Sequence, residues 1–498
     1  MSSGITSYDF NQNRFVIWAE NEGDYGQISA AYRLAVDLYS RLDVLSKNIC
    51  IVVPYLTNHL PFKKHIFTLL TATDPLPFAT SDKIVRIHMS SEIAVDQELL
   101  KSTPVIHFGD DHFHTASHTP IPTIPYQSCS LGLSNSTNTG LLGLMINKNL
   151  ETFCCSESAK IVERRLHNLK FLDHNLRARI LSGLTIEQFG EVNSLYLGYA
   201  QVSWLFAYVR ALALVHIASS KDMTIVFPIP YSEYLESCTQ KGFSWEHSLK
   251  GCNIRNLHLS NYQIDGAIFE LPEIIALNKE DDNTEHRNTK KIHIIFGAIP
   301  HLSMEVLWAS SEPETVVQGK QSVAEAVSAN KCFIYQPERG KFGMSEGLQQ
   351  LVANLLPKKE IDKFLIVPQG EENLSDDFYT HFKNEREREF LYSTMLNDEI
   401  CASYDYWPRM HAILRDTLYG RNNYQGLASI EKATPETIPL DTPVIISSEE
   451  MLSLKIKNRT NFSQLEVWKG SAFVYRKLGL DSYLIYRQIA NSIPAIST

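Results

Sequence analysis

The chain has 498 residues, 44% apolar and 20% charged, the balance of a globular protein rather than a disordered one. Single cores stop growing at about 250–300 residues, so two or three domains are expected. A net charge of −10, without a face of clustered lysine and arginine, excludes general nucleic-acid binding.

In chain order, the first half alternates short β-branched runs with stretches of helical period. Residues 14–20 (RFVIWAE) read as a strand, and 29–45 as a helix with apolar residues at Ala31, Leu34, Ala35, Leu38, Leu42 and Leu45. Residues 48–54 (NICIVVP) form a continuous apolar run, as expected of a strand buried on both faces. Residues 60–71 read as helix, 83–88 as strand, 92–101 as helix and 104–108 as strand. The Ser/Thr/Asn/Gly-rich passage 128–140 reads as a long loop. Helical patterns come after it through Asn149 and over 157–181, the latter stopped by Ser182-Gly183.

The alternation then restarts, with strands expected at 195–200, 224–228, 254–259, 291–297, 315–317 and 332–335. Strands separated by helices imply parallel sheets with helices on both faces. The apolar stretch 194–218 is interrupted by Gln201, Arg210 and His216, so it reads as a strand and a helix and no membrane span is expected. Residues 279–290 (KEDDNTEHRNTK) read as an exposed loop, and the pairs Lys290-Lys291 and Lys358-Lys359 as solvated surface. The predicted class is therefore α/β, with two Rossmann-like doubly wound domains facing across a cleft and a mainly helical tail. The expected domains are 1–185, 190–360 and an extension over 361–498 that partly returns to the first domain through a helix at 471–493. No short repeat is present, which excludes solenoids and propellers.

The eight cysteines include no CxxC pair, and residues 1–13 carry no apolar signal core. A reducing compartment fits, either the cytoplasm or, for a secreted effector, the interior of a host cell.

Two turns carry candidate chemistry. The first is Gly23-Asp24-Tyr25-Gly26, between strand one and helix one, where paired glycines allow a tight turn and close approach of a ligand. Asp24 would sit there at the mouth of the sheet beside a helix start, although aspartate also suits a plain helix cap. The second is Gln318-Gly319-Lys320-Gln321-Ser322, where a strand ends in a glycine and opens a helix. Helix N-termini bind anions through free amides and the dipole. Lys320 would add a countercharge, Ser322 a donor, and Glu325 an acceptor for sugar or ribose hydroxyls. Ser322 with Glu325 also spells a capping box. Tyr199 and Gln201, after the first strand of the second domain, are expected at the same cleft.

The block Gly23-Asp24-Tyr25-Gly26 followed by Ala31-Tyr32-Arg33-Leu34-Ala35 resembles the opening of the bacterial protein-arginine rhamnosyltransferases. In that family the aspartate of the turn is the proposed general base, a role that falls on Asp24 here, with Gly23 and Gly26 framing it. The second block, preceded by residues 303–308, resembles the donor-binding turn of GT-B glycosyltransferases. The resemblance covers about 60 residues and departs at Lys320-Gln321, where the rhamnosyltransferases carry two acidic residues. It implies a metal-independent transferase moving a sugar from a UDP- or dTDP-sugar to a protein or small-molecule acceptor, without a separate cofactor.

A third cluster, residues 107–114 (HFGDDHFH) with His118, reads as a surface loop, as a wall of the acceptor side with His112 as an alternative base, or as a metal site of no standard spacing. Other readings stay open. One is a sugar-nucleotide epimerase of the same fold, another a secreted bacterial effector acting mainly by binding a host protein, and a third a metal hydrolase built on the histidine loop.

Overall fold

A computed structural model describes residues 15–19, 31, 33–35, 37–38, 49–53, 86–89, 105–108, 123–126, 144–147, 150, 161–262, 273–276, 290–337, 342–368, 370, 373–406, 443–445 and 466–468. The helices expected at 60–71, 92–101 and 471–493, and the loop at 128–140, lie outside those residues.

The first sheet has five strands: β1 (Phe15–Ala19), β2 (Ile49–Val53), β3 (Arg86–Met89), β4 (Val105–Phe108) and β5 (Thr123–Tyr126). They are all parallel in the order β3-β2-β1-β4-β5. That order reverses between β1 and β4, the point where open parallel sheets hold their ligands. Strand β5 has no strand signal in its sequence, TIPY; Pro125 is admissible because β5 is an edge strand. Residues 31, 33–35, 37 and 38 are helical, and Ala31, Leu34, Ala35 and Leu38 are fully buried, as their spacing requires.

The second sheet contains β6 (Asn193–Leu197), β7 (Asp222–Phe227), β8 (Ile254–Asn261), β9 (Glu273–Ala276) and β10 (Lys290–Phe296), in the order β6-β7-β10-β8-β9. Only β9, again a strand without a clear sequence signal, runs antiparallel. Two further parallel strands, β11 (Glu314–Gln318) and β12 (Cys332–Gln336), continue beyond β6. The link is a parallel bridge between Tyr199 and Val317, with the Tyr199 amide donating to the Val316 carbonyl at 2.8 Å and the Glu312 amide to Leu195 at 2.7 Å. The chain order therefore reverses between β6 and β11, a second switch point.

The principal helices among the described residues are α1 (Ile161–Asn168), α2 (His174–Leu181), α3 (Ile186–Val192), α4 (Val202–Val215), α5 (Tyr231–Lys241), α6 (His301–Ser310), α7 (Lys320–Ser328), α8 (Phe342–Leu355), α9 (Leu374–Glu387) and α10 (Leu391–Ser403). The single helix expected over 157–181 is broken at Asp173. Its carboxylate caps α2 by accepting from the amides of Asn175 and Leu176 at 3.1 and 3.0 Å. The expected stop is present, with Ser182 and Gly183 at φ 48° and 85°.

Helix α4 is apolar almost all round because it is covered on several sides. Trp204 meets Phe378 of α9 at 5.2 Å between rings, and Phe206 meets Trp245 at 4.0 Å. Arg210 sends its Nη1 to the carbonyls of Ser248 and Lys250 at 2.7 and 2.9 Å. No helix of the described residues is long and apolar enough to cross a membrane.

Helix α1 packs on α6, and α10 packs on α7. After α10 the chain reaches Leu144, whose amide donates to Tyr404 at 2.6 Å and whose carbonyl accepts from Tyr406 at 2.9 Å. Lys290 departs from its expected place on the solvated surface. It opens β10 and is buried, because its aliphatic stem continues the apolar face of that strand. Burial lowers its ammonium pKa to about 8 against the pull of Asp222.

At the start of β11, fully buried Glu314 bonds Arg386 of α9 and lies 3.3 Å from His216 Nε2. Burial alone would raise its pKa, but the bond to His216 and the charge of Arg386 outweigh it and bring the carboxylate to about 2. A carboxylate depressed below its unfolded value of 4.5 contributes stability above that pH, and loses it as pH falls toward 2. We expect urea denaturation at pH 7 to show Glu314→Gln destabilised by about 3 kcal/mol. The gap between the two proteins should narrow between pH 4.5 and 2.

Candidate active site at the strand ends

The strand ends explain why these loops, and not others, carry the candidate residues. In the first sheet Ala19 of β1 is the register partner of Phe108 of β4, so the two strands end level at the switch point. The Gly23–Gly26 turn with Asp24 comes after β1, and the segment with His112 after β4. Gly23, Asp24, Gly26 and His112 themselves lie outside the described residues, as does the histidine-rich stretch beyond Phe108. Among the described residues no group of three or more metal-ligating side chains is assembled.

In the second sheet the two loops are described in full. After β6 the chain passes Gly198, where a Cβ would lie 2.9 Å from the Phe227 ring and 3.0 Å from that of Tyr208. Glycine thus lets the backbone lie against the aromatic layer. Tyr199, half-buried, bridges to β11, and Gln201, exposed, precedes the first turn of α4 without capping it by its side chain. The Gln201 amide donates at 2.7 Å to Oε1 of Gln336, the buried last residue of β12. Sequence reasoning misses Gln336, since a lone glutamine ending an apolar strand has no signature. Its contact gathers the ends of β6, β11 and β12.

Strand β11 ends at Gln318, and Gly319 turns the chain with φ 81° and ψ 155°, values that favour glycine. Gly319 is the cap residue of α7 and offers no side-chain acceptor to the first-turn amides. The capping box expected from Ser322 and Glu325 is therefore not formed, because the helix starts at Lys320 and Ser322 lies inside it. Gln318, Lys320 and Gln321 are half-buried, and Gln318 is the register partner of Gln336, which holds the Gln201 amide. Ser322 is 9% exposed.

Glu325 goes elsewhere. It is 6% exposed, and its Oε2 accepts from Trp308 Nε1 of α6 at 2.6 Å, while Oε1 accepts from Gln321 Nε2 at 3.4 Å. Its carboxylate thus faces the interior rather than a ligand's hydroxyls, because helical spacing carries residue 325 round to the face against α6. There it meets Glu305 and Arg33, whose Nη2 donates to Glu305 Oε1. Burial, and then the charge of Glu305, lift Glu325 to about 7 despite Arg33. Arg33 is held more strongly protonated than usual: burial opposes its charge, and Glu305, Asp37 and Glu325 outweigh it.

No protein-family model and no curated protein matches the sequence. Among solved structures, an alpha-glucosyltransferase in complex with UDP and a 13-mer DNA aligns with 8% identity and a TM-score of 0.35, covering 79% of this chain and 94% of that one. The alpha,alpha-trehalose 6-phosphate synthase of Burkholderia multivorans aligns with 10% identity and a TM-score of 0.29, covering 82% of this chain and 78% of its own. A trehalose-6-phosphate protein of E. coli bound with UDP-2-fluoro glucose aligns with 11% identity and a TM-score of 0.28, covering 82% and 74%. The functional reading rests on this chain's own residues.

Because Glu325 keeps its proton in the folded state up to about pH 7, but releases it near 4.5 when unfolded, it costs stability as pH rises through that interval. Glu325→Gln removes the cost. Melting curves should show the variant gaining on the parent protein above pH 5, by on the order of 3 kcal/mol beyond pH 8. A difference that does not change with pH would refute the assignment.

Proposed function

We propose that the chain is a glycosyltransferase of the two-Rossmann-domain GT-B kind, moving a sugar from a UDP- or dTDP-sugar to a protein or small-molecule acceptor. One observation carries the reading. The candidate segments chosen for their chemistry come directly after the four strands that flank two switch points, β1 and β4 in one sheet, β6 and β11 in the other. Ligands of doubly wound sheets bind at those places. Two such sites in one chain suit a reaction that joins two substrates, one held by each sheet.

The donor belongs to the second sheet. The uncapped first turn of α7 presents amides and the positive end of the helix dipole to a diphosphate, with Lys320 as a fixed countercharge. Tyr199, Gln201, Gln318 and Gln321 come from the ends of β6 and β11 and the helices that follow, and are suited to orient the rest of the nucleotide sugar. The acceptor belongs to the first sheet, where Asp24 takes the proton from the acceptor heteroatom, with His112 the alternative base. The acceptor heteroatom then forms its bond to the anomeric carbon. The bond from that carbon to the diphosphate oxygen breaks, and the electron pair leaves on the nucleoside diphosphate. A base on one side and fixed positive charge on the other are what this transfer needs.

The reading is tested by melting the protein with UDP, dTDP and GDP. A nucleotide at about 100 times its dissociation constant should stabilise by about 2.7 kcal/mol, seen as a rise in Tm. If none of the nucleotides or their sugars raises Tm, the donor site is wrong. Asp24→Ala should keep the parent Tm and nucleotide binding while lowering turnover by about 10²–10⁴-fold. Unchanged turnover would remove Asp24 from the mechanism.

A further inference from the structure

We propose that Arg33 is a positioning residue, fixing the donor-side helices α6 and α7 against the helical residues that come after the Gly23–Gly26 turn. The inference rests on the transfer reading above and names what holds its two halves in register.

Arg33 is 2% exposed and belongs to the first sheet's helical layer, yet its guanidinium bonds Glu305 of α6, a residue 272 positions away. The same Glu305 oxygen accepts from Asn147 Nδ2 at 3.0 Å, and the Asn147 amide donates to Ser328 Oγ, in the last turn of α7, at 2.7 Å. Glu325, whose charge also acts on Arg33, is tied to α6 through Trp308 and to the first turn of α7 through Gln321. Asp37, one helical turn from Arg33, bonds the Tyr406 hydroxyl. Arg33 and Gln321, the neighbour of Lys320 at the proposed phosphate turn, are thus linked through Glu325, by charge on one side and by a part-buried bond at 3.4 Å on the other. Arg33 lies only nine positions after Asp24.

The geometry makes this more than a stabilising contact. Arg33 Nε is buried without a hydrogen-bond partner, so the guanidinium is not placed for maximal bonding. A core built for stability alone would fill this joint with apolar side chains at little or no loss. An ion pair instead fixes direction, and a misplacement of 1 Å between reacting groups can cost on the order of 100-fold in rate.

Two variants test the proposal. Arg33→Lys keeps the charge but loses the planar fork. Arg33→Met combined with Glu305→Met removes both charges and keeps the volume. For each folded protein, UDP and dTDP affinity is measured by calorimetry. Turnover is followed as nucleotide release from whichever UDP- or dTDP-sugar the parent protein consumes fastest.

We expect nucleotide affinity within about twofold of the parent and turnover reduced by roughly 10- to 100-fold. In an Asp24→Ala background the Arg33→Lys change should cost nothing further, because the geometry it protects no longer matters. Parent-like turnover in either folded variant would overturn the proposal. So would failure of both variants to fold, which would make the contact purely structural. If Asp24→Ala is itself active, the transfer reading falls and this inference with it; if Asp24→Ala is inactive while folded Arg33→Lys is normal, this inference alone falls.

Discussion

One guanidinium in the interior answers to three carboxylates. Arg33 is supplied by the helical layer of the first sheet, Glu305 and Glu325 come from two helices beside the second, and Asp37 lies one turn away from Arg33. Burying an ion costs several kcal/mol unless a partner and hydrogen bonds compensate. The compensation here comes from parts of the chain that share no local structure, so the acids and the base are satisfied only when those parts meet. One cation cannot balance three anions, and the surplus is resolved chemically. Glu325 retains its proton to near neutrality, and the Asp37 carboxylate takes the Tyr406 hydroxyl. The relative placement of the two sheets is thus set by charge balance as much as by apolar area.

The two sheets themselves obey a simpler rule. In each, the strand that comes first in the chain lies in the middle, and later strands are added first on one side and then on the other. In sheets of this kind a crevice forms at the strand exits where the order reverses. Glycine recurs at these exits for different reasons. Gly198 admits an aromatic layer at van der Waals distance, whereas Gly319 adopts a left-handed φ that frees the next helix to begin without a side-chain cap.

Much of this is readable in the sequence because the signals are local. Parallel strands such as ICIVV and IHIIF announce themselves by runs rich in isoleucine and valine, and the helix stop at Ser182-Gly183 by its glycine. The candidate residues at 199, 201 and 318–321 can be found because strand ends in such sheets are located from those runs. What is not readable depends on partners far along the chain. Strand β5 contains a proline that argues against a strand until its edge position is known, and Lys290 looks solvated until β10 places it inside. Glu325 has the spacing of a capping or ligand-binding acid, and only the approach of Trp308 and Arg33 decides that it points inward. Arg33 itself is an ordinary helix residue until a carboxylate 272 positions away is brought to it.

The contact between Tyr406 and Asp37 spans 369 residues. During synthesis at about 5–20 residues per second, that separation amounts to roughly 20–70 s between the emergence of the two partners. Throughout that interval Asp37 awaits the Tyr406 hydroxyl, and Arg33 awaits Glu305, 272 positions on, for most of it. The late arrival of residues 404–406 then makes completion of the earliest part of the chain one of the last events of folding. A nascent chain truncated before Tyr406 would leave Asp37 without that hydroxyl, and premature release would be recognisable around Asp37 rather than at the point of truncation.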